Sequence, residues 1–268
     1  MKRDQILTRQ LNTIMRQEKK FLNQKENTFT KSTFTPIINK IQTKIPAKLI
    51  FTLDKTFYMG FNFVFEKGNA FVEKTYNKDK ISSEHDLNNY AIDKYMSKKH
   101  LKNMDKQSKQ SSSINASLSA LEGGVLGLLG IGIPDIPLFI SVIIKTINEI
   151  ALSYGYQYDT DEEKTYILYL ICGAMTKGEI QKEYTEKIDF LGEDIDSNTY
   201  ISICLEEIME ETSNILSATL LTAKFIQGLP VVGVIGVAVN PYIINKIGKY
   251  TRIKYKKRYL LGKINDCQ

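Results

Sequence analysis

Three charged residues stand in the most apolar part of the chain. Asp135 lies between Pro134 and Pro137, and Lys145 and Glu149 interrupt the run Leu138, Ile140, Val142, Ile143, Ile144, Ile147 and Ile150. A helix brings positions i and i+4 to one face, and a charge pair in so apolar a helix is costly unless each member is satisfied. Buried charges of this kind gather at functional sites, so Asp135, Lys145 and Glu149 form the candidate polar site, a pocket for an enzyme or an apolar-ligand carrier. Other chemistries lack their residues. His85 sits between Glu84 and Asp86 and reads as part of a solvated loop, and neither it nor His100 belongs to an HExxH zinc motif. Asp159, Asp161 and Glu163 open like a calcium loop, but Lys164 replaces the required glycine and Leu170 the closing glutamate. Thr160 and Glu163 fit a capping box instead. Cys172 and Cys204 lie in apolar helical patterns and read as buried, inert thiols; with Cys267 they make an odd count that suggests neither a disulfide framework nor a metal cluster. No catalytic residue, metal ligand or cofactor is assigned.

The glycines around these charges form a pattern of their own. Gly123, Gly127 and Gly130 fall at spacings of four and three, widened by Gly124, which in a helix gives a ridge where another backbone can approach. Pro134 and Pro137 end that run, and Asp135 can cap the helix that follows, with Pro137 tolerated in its first turn. The stretch QGLPVVGVIGVAVNP repeats the theme with Gly228, Pro230, Gly233 and Gly236. Each apolar run is too short to span a bilayer, which needs about 20 residues. Two glycine-rich helical hairpins are expected, buried in a soluble core or inserted shallowly in a membrane.

The charge is segregated. From Asn148 to Glu211 there are 16 acids against 4 Lys/Arg, and from Thr212 to Asn265 there are 9 Lys/Arg and no acid. One reading is mutual neutralisation within the fold. Another is a basic C-terminal helix in which Lys249, Arg252, Lys254, Lys256, Lys257 and Arg258, interleaved with Tyr250, Tyr255 and Tyr259, meet an anionic lipid surface. Nucleic acid ranks third, because the adjoining glycine hairpin favours lipid.

Helical periodicity dominates, so the fold class is all-α, with one multi-helix domain. Leu7, Leu11, Ile14, Met15 and Leu22 mark an amphipathic N-terminal helix, which with its linker is set apart as residues 1–35, leaving 36–268 as the main domain. Pro36 and Pro46 can each open a helix, the second carrying the aromatic run from Phe51 to Phe65 to an end or kink at Gly68. The polar, basic stretch from Asn77 to Ser113 reads as linkers or mobile loops around one short helix. The first residues lack the continuous apolar core of a signal peptide, which points to a cytoplasmic protein.

In order and spacing, LEGGVLGLLGIGIPDIPLF, INEIALSYGYQYDTDEE and FIQGLPVVGVIGVAVNP followed by a basic helix resemble the bacterial EcsC family. The resemblance runs from Pro36 to Leu261. Many relatives have arginine where Lys145 stands. The family is named for neighbours of an ABC exporter, and the resemblance implies no established molecular function. The expectation is a non-enzymatic, peripherally membrane-associated accessory or interaction protein at the inner face of the cell membrane. Its partner would be an anionic membrane surface or a membrane protein complex.

Overall fold

The computed structural model describes residues 2–24, 47–68, 72–95, 98–127, 135–200, 202–226 and 239–266. Among them the chain forms nine α-helices and no strand: α1 (Lys2–Leu22), α2 (Ala47–Phe63), α3 (Lys78–Tyr95), α4 (Lys98–Gly127), α5 (Asp135–Ser153), α6 (Asp161–Met175), α7 (Gly178–Asp196), α8 (Leu205–Ile226) and α9 (Val239–Asn265). A π-helical turn, Val64–Gly68, extends α2 and stops at Gly68, where the sequence marks an end or kink. The helix expected after Pro36 lies outside the described residues.

Helices α5, α6 and α9 make the centre. Ile140, Ile143, Ile144, Ile147 and Ile150 of α5 are buried, as are Ile167, Leu168, Leu170 and Ile171 of α6 and Ile243, Ile244, Ile247 and Ile253 of α9. The stretch Ile136–Ser153 is long and apolar enough to cross a membrane, but 78% of it is buried inside the protein, so here it is a core helix. Helix α9 packs against α1, α4, α5, α6 and α7. Leu7, Ile14 and Phe21 recur every seven residues along α1 and are buried, and Phe21 stacks on Tyr250 of α9 with ring centroids 4.9 Å apart. The N-terminal helix is therefore a layer of the helical body, not a separate appendage.

The expected linkers of 77–113 are instead helices α3 and the first half of α4. Their buried stripes are narrow and partly polar. On α3 the stripe is Ile81, His85 and Ile92; on α4 it is Leu101, Met104, Ser108 and Asn115. Ser108 shares a hydrogen bond with Tyr154 at 3.3 Å, and Asn115 donates to Glu149. A polar side chain with a partner can take a core position, and a search for apolar periodicity passes over it.

The cross-helix contacts fix the directions of the helices. Asn115 meets Glu149 and Ser108 meets Tyr154, so α4 runs antiparallel to α5. Asp105 accepts from Lys256, and Lys109, one turn on, shares a cleft with Arg252, one turn back, so α4 is also antiparallel to α9. Gly60 of α2 lies against Pro137 and Ile140, and the carbonyl of Thr75 further on accepts from Lys145. Ser217 of α8 donates to Asp54 of α2. The end of α4, the starts of α5 and α9, the end of α8 and the start of α2 consequently lie at one end of the bundle.

Candidate functional site

The polar trio of α5 does not assemble. At 1.5 Å per residue, the start of α5 at Asp135 is about 15 Å along the helix from Lys145 and about 21 Å from Glu149. Lys145 and Glu149 also turn to different partners. Lys145 Nζ donates to the Thr75 carbonyl at 3.0 Å, and the buried Glu149 carboxylate accepts from Asn115 of α4. Around them lies a polar seam that hydropathy did not signal. Tyr158 donates to Glu73 at 2.6 Å and shares a 2.7 Å hydrogen bond with Tyr76, while Lys78 donates to Glu73 at 2.9 Å. Burial pushes the Tyr76 phenol up to about 12, so it stays protonated. This seam ties the segment after α2 to the loop that follows α5, and its groups satisfy one another.

Burial pushes the Glu149 carboxyl up from its ordinary value of 4.5, and the Asn115 hydrogen bond and the Lys145 charge offset this only in part. A carboxyl with a raised folded-state pKa favours the fold below the unfolded value and loses that contribution as pH rises through the folded value. Glu149→Gln keeps an acceptor for Asn115 and removes the charge. We expect the variant to be more stable than the parent in urea at pH 8, with the difference vanishing below about pH 4.5. A variant less stable at pH 8 would contradict this.

The basic residues of α9, expected on an anionic surface, are mostly turned inward. The Lys254 side chain has no exposure and pairs with Glu18 of α1 and with Asp189 of α7 at 2.9 Å; Lys257 pairs with the same two acids at 3.1 and 2.7 Å. Arg258 Nη2 lies 2.8 Å from both Glu163 and Asp196, and its Nε also donates to Asp196. Tyr156 and Tyr166 flank the guanidinium, their ring centroids 4.2 and 4.9 Å away. Gly192 gives it room: a Cβ there would sit 3.3 Å from Arg258 Cδ. Burial opposes the Arg258 charge, but Asp196 and Glu163 outweigh it and hold the group above its ordinary value. Lys256 pairs with Asp105 at 2.6 Å. Of the six cations only Lys249 is exposed, and Arg252 and Lys257 are half-buried. The physical reason is the acidic block itself: Glu163, Asp189 and Asp196 meet the basic helix inside the fold, as the neutralisation reading has it.

Glu163 shows how one residue is drawn into this network. Its backbone N–H donates to the Thr160 hydroxyl at 3.3 Å, the first half of a capping box, while its carboxylate goes to Arg258. Cys172 is buried against Thr212 at 3.2 Å, and burial pushes its thiol up to about 12, the inert state expected. Cys204 is exposed, because it stands just before α8 and not in a packed face. His85 is buried on α3, with Nδ1 3.3 Å from the Ser153 carbonyl, not solvated in a loop. Among the described residues no group of His, Cys, Asp or Glu could hold a metal ion.

The glycine-rich segments are described in part. Gly123, Gly124 and Gly127 lie in the last turns of α4 and Pro137 in the first turn of α5, whereas Gly130, Pro134, Gly228, Pro230, Gly233 and Gly236 fall outside the described residues. The helices that flank both segments share one end of the bundle. Large apolar side chains stand exposed there: Phe51 of α2 (68%), Leu138 of α5 (37%) and Tyr242 of α9 (51%). Met59 and Phe63, also exposed, continue the Phe51 face of α2 at helical spacing.

An all-helical body closed around a buried basic helix, with an apolar end where two glycine-rich segments leave it, is the class of protein defined by these features. The chain belongs to the EcsC protein family, which it matches over residues 8–260. The match takes in most of α1, so the N-terminal helix belongs with the family region and the boundary expected at residue 36 is not kept. The chain is also similar to the "Uncharacterized protein YdbA" of Bacillus subtilis (strain 168), 26% identical over 151 residues. That likeness covers 54% of this chain and 52% of the relative, so it spans about half the length of each. No solved structure matches the chain.

Proposed function

We propose that this protein is a non-enzymatic accessory or interaction protein that associates peripherally with the cytoplasmic face of a membrane, and that its contact is the apolar end of the bundle, not the basic face of α9. The observation that carries the reading is the exposure of Phe51, Leu138 and Tyr242 at the end where both glycine-rich segments leave their helices. Single exposed apolar residues are ordinary, but several gathered at one end mark a contact surface. The sequence that joins α4 to α5 and α8 to α9 is itself apolar. Lys48 and Lys55, exposed on α2 beside Phe51, suit a surface carrying anionic headgroups. The burial of Lys254, Lys256 and Arg258 removes the cations that a purely electrostatic contact would use.

Co-sedimentation with vesicles of mixed neutral and anionic lipid tests this. The full chain pellets with vesicles, and because the contact is largely apolar, binding survives at about 0.5 M salt, where exposed charges are screened. Replacing Phe51, Leu138 and Tyr242 together by serine lowers the bound fraction several-fold. A chain that stays in the supernatant, or binding abolished by salt and indifferent to the triple change, would overturn the reading.

A further inference from the structure

We infer that this protein associates with further copies of itself head to tail, through two unlike faces that lie on opposite sides of α9. The first face belongs to α3 and the start of α4. Leu87, Tyr90 and Tyr95 are 60–70% exposed there, so none of them is part of the core. Lys94 stands beside both rings, its Nζ 5.4 and 5.5 Å from their centroids, and donates to the Tyr90 hydroxyl at 3.0 Å. Lys98, Lys102 and Lys106 follow at intervals of four, which lines them along one side of a helix, and all three are exposed. Lys99 and Lys109 are engaged within the fold and are not assigned to the contact. The acids of this stretch, Asp93 and Asp105, are held by Lys263 and Lys256 of α9.

The second face is the outer stripe of α7. At about 100° per residue, Glu179, Glu183, Glu186, Phe190 and Glu193 fall within about 80° of one another around that helix. Phe190 is 68% exposed, and all four glutamates are exposed around it. Glu179 and Glu183 pair with Lys182 and Lys187 of the same helix. Glu186 and Glu193, one turn to either side of Phe190, stand outside those pairs.

Helix α9 separates the two faces. Its Lys256, Tyr259 and Lys263 reach Asp105, Asn89 and Asp93 of α4 and α3, whereas Lys254, Lys257 and Arg258 reach Asp189 and Asp196 of α7. By the same rotation per residue, these two sets point to opposite sides of α9. One copy cannot bring its own faces together, but a neighbour can lay its acidic stripe on the basic row. Both rows repeat about once per turn, so they can lie alongside each other. The Phe190 ring then packs among the exposed tyrosines and lysine stems, with its flanking glutamates on the ammonium groups. Because the faces are unlike, each added copy leaves one of each unused, and the contact extends a row or closes a ring. Phe51, Leu138 and Tyr242 take no part in it, so the inference stands or falls independently of membrane association.

Sedimentation velocity of the full chain, over a concentration series into the hundred-micromolar range, tests it. The weight-average mass rises with concentration at low salt, and the rise is suppressed at about 0.5 M salt, where exposed charges are screened. Lys102→Glu with Lys106→Glu, and separately Glu186→Lys with Glu193→Lys, each weaken association by about tenfold or more, since like charges then face each other. Phe190→Ser, with no change of charge, weakens it several-fold. An equimolar mixture of the two charge-reversed chains associates again, because the intact acidic stripe of one meets the intact basic row of the other. A monomer at every concentration would overturn the inference. So would association that neither reversal alters, association lost instead on changing Phe51, Leu138 and Tyr242 to serine, or a mixture of the reversed chains that stays monomeric.

Discussion

Arg258→Ala is expected to lower the unfolding free energy by about 3–5 kcal/mol, the cost of removing one partner from a buried, hydrogen-bonded ion pair. The arginine is buried in contact with Glu163 and Asp196 and sandwiched by Tyr156 and Tyr166. Truncation leaves the Glu163 carboxylate buried beside an emptied space and strips both rings of their cation. Against a typical total stability of about 5–15 kcal/mol, that loss is a large share of the whole. Arg258→Lys keeps the charge but loses the planar two-point contact with Asp196, so it should fall between parent and alanine variant. Urea unfolding followed by circular dichroism measures both. A loss under about 1 kcal/mol for Arg258→Ala would mean that the pair behaves as a solvated surface bridge, and the buried charge network would lose its structural role.

Gly155→Ala is the second large effect, about 2–5 kcal/mol. Gly155 closes α5 with φ of 86°, its N–H donating to the Leu152 carbonyl and that of Tyr156 to the Ala151 carbonyl, the two bonds of a Schellman motif. An L-residue in that conformation costs about 1–2 kcal/mol. In addition, a Cβ would stand 2.4 Å from the His85 Nε2 atom, and overpacking adds about 1–3 kcal/mol. The two parts are separable, because His85→Ala in the same chain removes the clash and leaves the backbone strain. The double variant should therefore recover part of the loss relative to Gly155→Ala. Full additivity of the two single changes would show that no clash exists.

The helical class and the central helices were legible because α5 and α6 are long apolar stretches, and the acidic and basic blocks announced their pairing through composition alone. What sequence reasoning missed shares one cause: residues whose burial depends on a distant partner. Lys254 looks like a surface lysine until Glu18, more than two hundred residues away, and Asp189 are brought to it. His85 and Asn115 look like loop residues until Ser153 and Glu149 supply their hydrogen bonds. On α5 the trio separates: Asp135 begins the helix about 15 Å from Lys145, while Lys145 and Glu149, one turn apart, take different hydrogen-bond partners. The helix end at Gly155 did carry a local signal, a glycine directly after an apolar run, that could have been read.

The apolar end as the membrane contact is the central claim, and the absence of tryptophan from the chain allows it to be tested with single reporters. Phe51 and Phe190 are equally exposed, both at 68%. Phe51 lies at the apolar end, and Phe190 on α7 beside Asp189, which pairs with Lys254 and Lys257 well along α9. Fluorescence of Phe51→Trp and Phe190→Trp would be recorded as vesicles of mixed neutral and anionic lipid are added. A blue shift and protection from aqueous quencher for Phe51→Trp, with Phe190→Trp unchanged, is the predicted result. A shift at position 190 and none at 51, or none at either with the chain bound to the vesicles, would contradict the account.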